Sequence, residues 1–179
     1  GCVACIDTPD GDAIARQLDD LGWSLDWILN THWHPDHVGG NTMLKARYGC
    51  RIIGPAHEAD RIPGIDQTVD EGDEVMVGEC RAQVLHTPGH TLGHTVYHFA
   101  DEHKAFVGDT LFALGCGRLF EGTPEQMWNS LSRLREWPDD TVIYCAHEYT
   151  QANARFALSV DGDNPALRER AESVDAQRA

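Results

Sequence analysis

Residues 31–37 read THWHPDH and place three imidazoles and a carboxylate directly after an apolar segment. Side chains two residues apart point the same way in extended backbone, so His32, His34 and Asp36 can converge on one side. His37 stands at the start of an expected helix and can approach the same place from another direction. Neutral imidazole and carboxylate are ligands of zinc and related first-row metals. The stretch therefore predicts a metal site beyond the end of a strand.

Composition and charge narrow the class of protein. The chain has 179 residues, 41% of them hydrophobic, and a formal charge of −15, which fits one globular domain with a small appendage. The negative charge argues against nucleic acid, and no apolar stretch is long enough to span a membrane. The chain opens without a basic leader, so a cytoplasmic protein is expected, and we expect it to act as a monomer. The missing initiator Met predicts that the chain is a fragment.

The six cysteines have no spacing typical of a disulfide framework. Cys2 and Cys5 form a C-x-x-C pair, which alone could indicate a redox or zinc motif. No second pair exists, and the surrounding residues resemble a strand that runs into a turn. We interpret the two as small strand residues and expect all six thiols to be reduced.

Hydrophobic periodicity and turn residues predict a mixed α/β order. A capping box at Thr123–Gln126, with Pro124 in the first helical position, marks one helix start. The expected strands are 25–30, 51–53, 74–77, 80–86, 94–99, 105–107 and 141–145. The expected helices are 12–21, 38–48, 123–136, 151–160 and 166 to the end.

Three further ligand-type residues follow predicted strands. His90 lies between two strands, Asp109 follows an apolar strand, and His147 follows the last one. Seven candidate ligands exceed the four that tetrahedral zinc needs, but they suit two metals that share a bridging carboxylate and water. The candidates are His32, His34, Asp36, His37, His90, Asp109 and His147.

With these residues the chain resembles the metallo-β-lactamase superfamily, and within it the glyoxalase II (hydroxyacylglutathione hydrolase) family. The matching segments are THWHPDHVGGN at 31–41, TPGHTLGH at 87–94, GDTLFALGCGRLFEGT at 108–123 and CAHEYT at 145–150. The resemblance implies an α/β (α+β) fold, an αββα sandwich with the metal site at one sheet edge, incomplete at both ends. It also implies a catalytic domain over 1–150 and a truncated C-terminal helical substrate-binding region over 151–179.

The resemblance also distributes the ligands. It implies that His32, His34 and His90 hold one metal, that Asp36, His37 and His147 hold the other, and that Asp109 bridges them. Asp36 and Asp109 are then the catalytic carboxylates beside a metal-bridging hydroxide. Zinc is the first expectation for both ions, and iron or manganese stay open because these ligands accept all three.

The activity implied is hydrolysis of S-(2-hydroxyacyl)glutathione, such as S-D-lactoylglutathione, to D-lactate and glutathione in methylglyoxal detoxification. A thioester suits the site because its thiolate, with a pKa near ~8.5, leaves without a general acid. The alternatives are a mononuclear-iron persulfide dioxygenase, another hydrolase of this fold, and an inactive binding module. No Gly-x-Ser-x-Gly motif supports a serine hydrolase.

Substrate recognition is expected at Arg118, Phe120 and Tyr149. An anionic glutathione conjugate needs local positive charge on so acidic a protein, and the resemblance places a basic residue at 118 with an aromatic residue two positions on. Tyr149 is the nearby aromatic residue with a hydroxyl. The competing interpretation is that Arg118 only pairs with Glu121 or with groups on the side of Asp109.

The remaining histidines carry weaker expectations. His86 and His94 flank the 87–94 loop, and we expect them to orient ligands or to be structural. His57, His98 and His103 are expected to have no role in the metal site.

Overall fold

The computed structural model describes residues 1–178. Its strands are β1 Ala4–Ile6, β2 Trp27–Leu29, β3 Arg51–Pro55, β4 Gln67–Val69, β5 Glu74–Val77, β6 Cys80–His86, β7 Thr95–Phe99, β8 Lys104–Gly108, β9 Leu111–Phe112, β10 Gly115–Cys116 and β11 Val142–Cys145. Its helices are α1 Gly11–Leu21, α2 Pro35–Val38, α3 Asn41–Tyr48, α4 Pro124–Leu134, α5 Thr150–Val160 and α6 Pro165–Arg178, with 3₁₀ turns at Ala56–Arg61 and Ala100–Glu102.

Two main sheets account for nine of the strands. Strands β1-β2-β3-β4 form a parallel sheet in that order. The second sheet has the order β11-β8-β7-β6-β5, antiparallel except for the parallel pair β11 and β8. Because β8 and β11 run in one direction and β6 runs with them, the carboxyl ends of all three meet at one edge.

Alternation along the strands produces three layers of core. Ile28 packs with α1 and α3 on the outer face of the first sheet, whereas Leu29 packs between the two sheets. In the second sheet Val84 faces the first sheet, whereas Leu85 points to the opposite face and packs in one cluster with Leu134 of α4. Side chains of a strand alternate between faces, so each sheet buries both of its sides. This confirms the helix–sheet–sheet–helix order that the family resemblance implied.

Local signals set the helix ends well. The side chain of Asp10 accepts the backbone N–H of Ala13 at the start of α1, and Gly22 ends that helix at φ 65°. At α4 the capping box is confirmed, because Thr123 and Gln126 exchange side-chain-to-backbone hydrogen bonds.

The predicted continuous helix over 38–48 is wrong. Helix α2 already begins at Pro35, and the chain turns at Gly39 and Gly40 before α3 begins. A Cβ on Gly40 would stand 2.9 Å from the backbone of Gly11, so the break lies where two backbone segments touch. Asp36 therefore sits on a helical turn beside His37, and not on the extended segment that carries His32 and His34.

Two further observations concern the whole described chain. All six cysteines are free thiols. Within residues 1–178 no helix combines the length and apolar character needed to cross a membrane.

Candidate metal centre

Four loops at one edge of the sandwich carry the predicted ligands, and the structure brings all seven residues together. His32 and His34 follow β2, Asp36 and His37 lie on α2, and His90 lies between β6 and β7. Asp109 follows β8, and His147 follows β11. Each loop begins where a strand of a sheet ends, which fixes its starting point on a rigid framework.

The first group is the trihistidine set, His32, His34 and His90. Nε2 of His32 lies 2.9 Å from Nδ1 of His34, which in turn lies 3.0 Å from Nε2 of His90. Ligand nitrogens around a tetrahedral zinc are about 3.3 Å apart, given bonds of about 2.05 Å. The three nitrogens therefore converge at a spacing close to that of a metal site.

The second group is the mixed set, Asp36, His37 and His147. Oδ2 of Asp36 lies 3.3 Å from Nε2 of His147 and 3.8 Å from Nε2 of His37. One carboxylate oxygen thus faces two imidazole nitrogens, which is a second cluster with the composition of a metal site.

Asp109 lies between the two sets and turns one oxygen toward each. Oδ2 is 3.5 Å from Nε2 of His90, whereas Oδ1 is 3.2 Å from Nε2 of His37 and 3.5 Å from Nε2 of His147. Oδ1 of Asp109 and Nε2 of His37 are buried, and neither has a hydrogen-bond partner of good geometry among residues 1–178. Buried polar atoms are seldom left in this way. The residues present therefore fit a group that would bind between them, such as a divalent cation.

Partners on the far side of three rings set their orientation. Nδ1–H of His90 donates to the carbonyl of Arg118 at 2.7 Å, and Nδ1 of His37 lies 2.7 Å from Oδ2 of Asp7. Nδ1 of His32 contacts the hydroxyl of Thr31 at 3.0 Å. Each contact leaves Nε2 directed at the centre, and such partners fix the tautomer of metal-binding histidines.

His94 supports Asp109 and does not face the centre. Its Nε2 accepts the backbone N–H of Asp109 at 3.1 Å, while Nδ1 contacts the hydroxyls of Thr87 and Thr110 at 3.0 and 3.1 Å. Both ring nitrogens are engaged in the buried interior, and this agrees with the orienting role expected for His94.

Sequence reasoning missed Asp7. Its carboxylate accepts the backbone N–H and the hydroxyl of Thr31, both at 2.8 Å, in addition to contacting His37. Asp7 has a φ of 57°, an uncommon value for a residue with a side chain. The available signal was its position directly after β1, the same position relative to a strand that singled out Asp109.

Glu58 was also missed. It is only 2% exposed, and its two oxygens accept the backbone N–H of Trp33 and that of Gly93, both at 2.9 Å. Trp33 lies between two trihistidine ligands, and Gly93 follows the third. Burial raises the pKa of Glu58. No local pattern marks this residue, because its partners are 25 and 35 positions away.

The electrostatics of the two sets differ. Burial, together with the neighbouring imidazoles, lowers the pKa of His32 well below its ordinary value, and burial also lowers the pKa of His90. Burial opposes protonation of His37 as well, but the carboxylates of Asp109 and Asp7 outweigh it and raise the pKa to about 10. Burial lowers the pKa of His34 as well, so burial favours the neutral form of all three imidazoles, which is the form that binds metal.

A cleft of about 520 Å³ opens beside the centre and is lined by His90, Asp109, Arg118, Phe120 and Tyr149 among others. The ring of Phe120 lies 5.3 Å from that of His90, and Tyr149 stacks on His147 at 5.2 Å. The three predicted substrate residues therefore share one cavity with the centre.

The predicted alternative partner of Arg118 is engaged elsewhere. Glu121 pairs with Arg61 at 2.8 Å and accepts the backbone N–H of Leu92 at 2.9 Å. Within residues 1–178 the guanidinium of Arg118 makes no ion pair, and its nearest aromatic contact is Phe120. The cation is therefore available to a ligand in the cleft.

Comparison with known proteins identifies the family. Residues 6–147 match the model of the metallo-beta-lactamase superfamily, and residues 148–179 match that of the hydroxyacylglutathione hydrolase C-terminus. A relative from Maricaulis maris, named hydroxyacylglutathione hydrolase, is 56% identical over 179 residues, which are 100% of this chain and 70% of the relative. The solved structure of ETHE1 from Myxococcus xanthus shares 34% identity at a TM-score of 0.71, covering 82% of this chain and 65% of that one.

A third match concerns a protein with metal bound. TTHA1623, solved in a di-iron-bound form, is 28% identical at a TM-score of 0.70, with 80% of each chain covered. The chain described here belongs to the metallo-β-lactamase superfamily and, within it, to the hydroxyacylglutathione hydrolase family.

Proposed function

We propose that the protein hydrolyses S-(2-hydroxyacyl)glutathione thioesters, with S-D-lactoylglutathione as the expected substrate, to a 2-hydroxy acid and glutathione. The observation that carries the proposal is Asp109, whose two oxygens face two separate ligand sets beside a cleft with a free cation. The name of the relative that matches the whole chain supports the same activity. The product hydroxy acid would be D-lactate, which links the reaction to methylglyoxal detoxification.

Two divalent metal ions are part of this proposal. The trihistidine set would hold one, the mixed set would hold the other, and Asp109 would contact both. Zinc is the first expectation, and iron or manganese would fit the same ligands. A relative of similar fold with two irons supports the count of two. When bound, such ions acidify a water molecule and polarise the substrate carbonyl.

The chain's own residues have distinct tasks in the reaction. Asp109 is buried and held through its backbone by His94, so its role is to fix the spacing of the two sets. Asp36 is the more exposed catalytic carboxylate, so the oxygen that it does not turn toward His37 and His147 would be the one able to pass a proton from the attacking water to solvent. The leaving thiolate has a pKa near ~8.5, so the chain need not supply an acid for it.

The cleft would bind the glutathione part of the substrate. Arg118 supplies the positive charge that a carboxylate requires on a protein of formal charge −15. Phe120 and Tyr149 offer apolar rings beside His90 and His147. Arg118, Phe120 and Tyr149 would hold the glutathione part of the substrate in the cleft. The thioester carbonyl would then lie beside the metal ligands.

The remaining proposals concern organisation. We assign residues 1–150 to the catalytic domain and 151–179 to the beginning of a helical substrate-binding region, with the protein acting as a cytoplasmic monomer. Its partner would be the small-molecule thioester.

Thiol release tests the function directly. Metal-loaded protein is mixed with S-D-lactoylglutathione, and free glutathione is followed with a thiol-reactive dye. Catalytic thiol release, lost in Asp109→Ala, is the expected result. Oxygen consumption with glutathione persulfide, and no thiol release from the thioester, would show that the persulfide dioxygenase alternative is correct instead.

A further inference from the structure

A second group of metal-ligand side chains lies outside the centre. His57 is on the 3₁₀ turn Ala56–Arg61, Asp70 follows β4, and His86 ends β6. One potential ligand atom from each lies within 4.8 Å of the other two. Nε2 of His57 is 3.3 Å from Oδ2 of Asp70, and the rings of His57 and His86 stack at 4.9 Å.

Hydrogen bonds to other groups determine which atoms remain free. Nε2–H of His86 donates to the carbonyl of Leu92 at 2.7 Å. A carbonyl only accepts, so this bond places the proton on Nε2 and leaves Nδ1 of His86 with a free lone pair. Such a bond to a backbone carbonyl is typical of metal-binding histidines. Oδ1 of Asp70 accepts the backbone N–H of Glu71 at 2.7 Å, which leaves Oδ2 for the cluster.

The backbone around His86 is held on both sides. Its N–H donates to Glu71 at 2.8 Å, and its carbonyl accepts from Arg133 at 2.9 Å, while Arg133 and Glu71 pair at 2.6 Å. One ligand is thus fixed before a cation arrives, which reduces the ordering cost of binding.

We propose that His57, Asp70 and His86 form a separate site for one divalent first-row transition cation, with water completing its coordination. Two imidazoles and one carboxylate suit zinc, nickel, copper or cobalt, whereas magnesium and calcium prefer oxygen alone. The formal charge of −15 raises the local concentration of cations of any kind. None of the three residues belongs to the trihistidine set or to the mixed set.

The site has a connection to the 87–94 loop. Leu92, whose carbonyl orients His86, lies two residues beyond His90 in that loop. A cation on His86 would strengthen the Nε2–H donor and so tighten one anchor of the loop. It would also make the total metal content of the protein exceed that of the catalytic centre.

The chain offers a matched control for the test. His103 pairs with Asp140 at 3.0 Å and has the same side-chain exposure as His57, 54%. Among residues 1–178, His103 belongs to no cluster of three potential metal ligands. His57→Ala and His103→Ala therefore remove equally exposed histidines beside an aspartate, and neither change disturbs the buried core.

The experiment is a calorimetric titration of metal-loaded protein, freed of loosely bound metal, with nickel or zinc chloride. Wild type and His103→Ala should bind one additional equivalent, and His57→Ala should bind it more than about tenfold more weakly. Asp70→Asn, which keeps the shape and removes the charge, should also weaken it, and thiol release by His57→Ala should stay normal. Equal binding by wild type and His57→Ala, or equal losses in both histidine variants, would overturn the proposal.

Discussion

The trihistidine set and the mixed set differ in how firmly the rest of the chain holds them. In the trihistidine set, Glu58 fixes the backbone on either side of the ligands, and the Arg118 carbonyl orients His90. In the mixed set, among the residues that the structure describes, only His37 has such support, from Asp7. The other two members are more open, because the side chains of Asp36 and His147 are 56% and 27% exposed.

This difference has an energetic meaning. Ligands that are already in place lose little conformational freedom when a cation binds, whereas exposed side chains must be ordered first. We therefore expect the trihistidine set to bind its metal more tightly and the mixed set to lose its metal first during chelation. During stepwise chelation, metal content should therefore fall from two equivalents to one before the second equivalent is lost.

Asp109→Ala should affect both sets at once. The change removes the carboxylate that faces each set, so affinity for both metals should fall by at least about 100-fold, the upper end for a supporting group. Metal analysis and thiol release should decline together. Asp101→Ala, at an exposed aspartate of the same charge, is the control. Two retained metals with normal turnover would show that Asp109 does not bridge.

His147→Ala should separate the two sets. The change removes one imidazole of the mixed set and none of the trihistidine set, so one metal equivalent should be lost and one kept. Metal content after dialysis measures this, with His34→Ala as the counterpart that should release the other equivalent. If His147→Ala empties both sets or neither, the two sets do not bind their metals separately.

Glu58→Gln should reduce the advantage of the trihistidine set. Glutamine keeps the shape of the side chain, but its NH₂ group cannot accept a hydrogen bond. One of the two backbone N–H groups, that of Trp33 or that of Gly93, would therefore lose its acceptor, and the loop that carries it would be held less firmly. Affinity of the trihistidine set should fall by about tenfold, the lower end for a supporting group, without a change in the mixed set. Competition with a chelator measures both affinities.

The control for Glu58→Gln is Glu125→Gln at an exposed position. If the Glu58 variant only lowered thermal stability and left both metal affinities unchanged, Glu58 would be a structural residue and not a positioning one.

Arg118→Ala should leave both metals in place. Arg118 lines the cleft and its guanidinium lies beside Phe120, so its loss should raise KM by about tenfold, equivalent to about 1.4 kcal/mol. The kcat should be largely kept, as for an interaction that is equal in ground and transition states. Arg135 lies 5.7 Å from the ring of Trp128, much as Arg118 lies 5.8 Å from Phe120, so Arg135→Ala is the control. An unchanged KM would remove Arg118 from substrate binding.

The clustering of the seven candidate ligands could be predicted because their signals are local. His90, Asp109 and His147 each follow a strand that can be predicted from its apolar residues. Strands that run in the same direction bring their carboxyl ends to one edge of the sheet. The packing of two sheets between helices came from the family resemblance, since short strands of this kind carry little information about their neighbours.

What could not be predicted depends on contacts between distant segments. The break between α2 and α3 follows from the approach of Gly40 to Gly11, 29 positions earlier in the chain. Glu58 likewise looked like an ordinary charged residue, because only the folded chain brings Trp33 and Gly93 to it. Burial of a carboxylate with two backbone donors is a tertiary event that no pattern in one segment encodes.

The backbone carbonyl of Arg118, which accepts from His90, gives this residue two connections. Its guanidinium lines the cleft while its main chain holds a member of the trihistidine set. A ligand that orders Arg118 would therefore also restrict His90. Thermodynamic linkage then requires the reciprocal effect, so glutathione and metal should raise each other's affinity by one common factor. Arg118 would thus couple glutathione binding in the cleft to metal binding by the trihistidine set, and one coupling free energy would describe both effects.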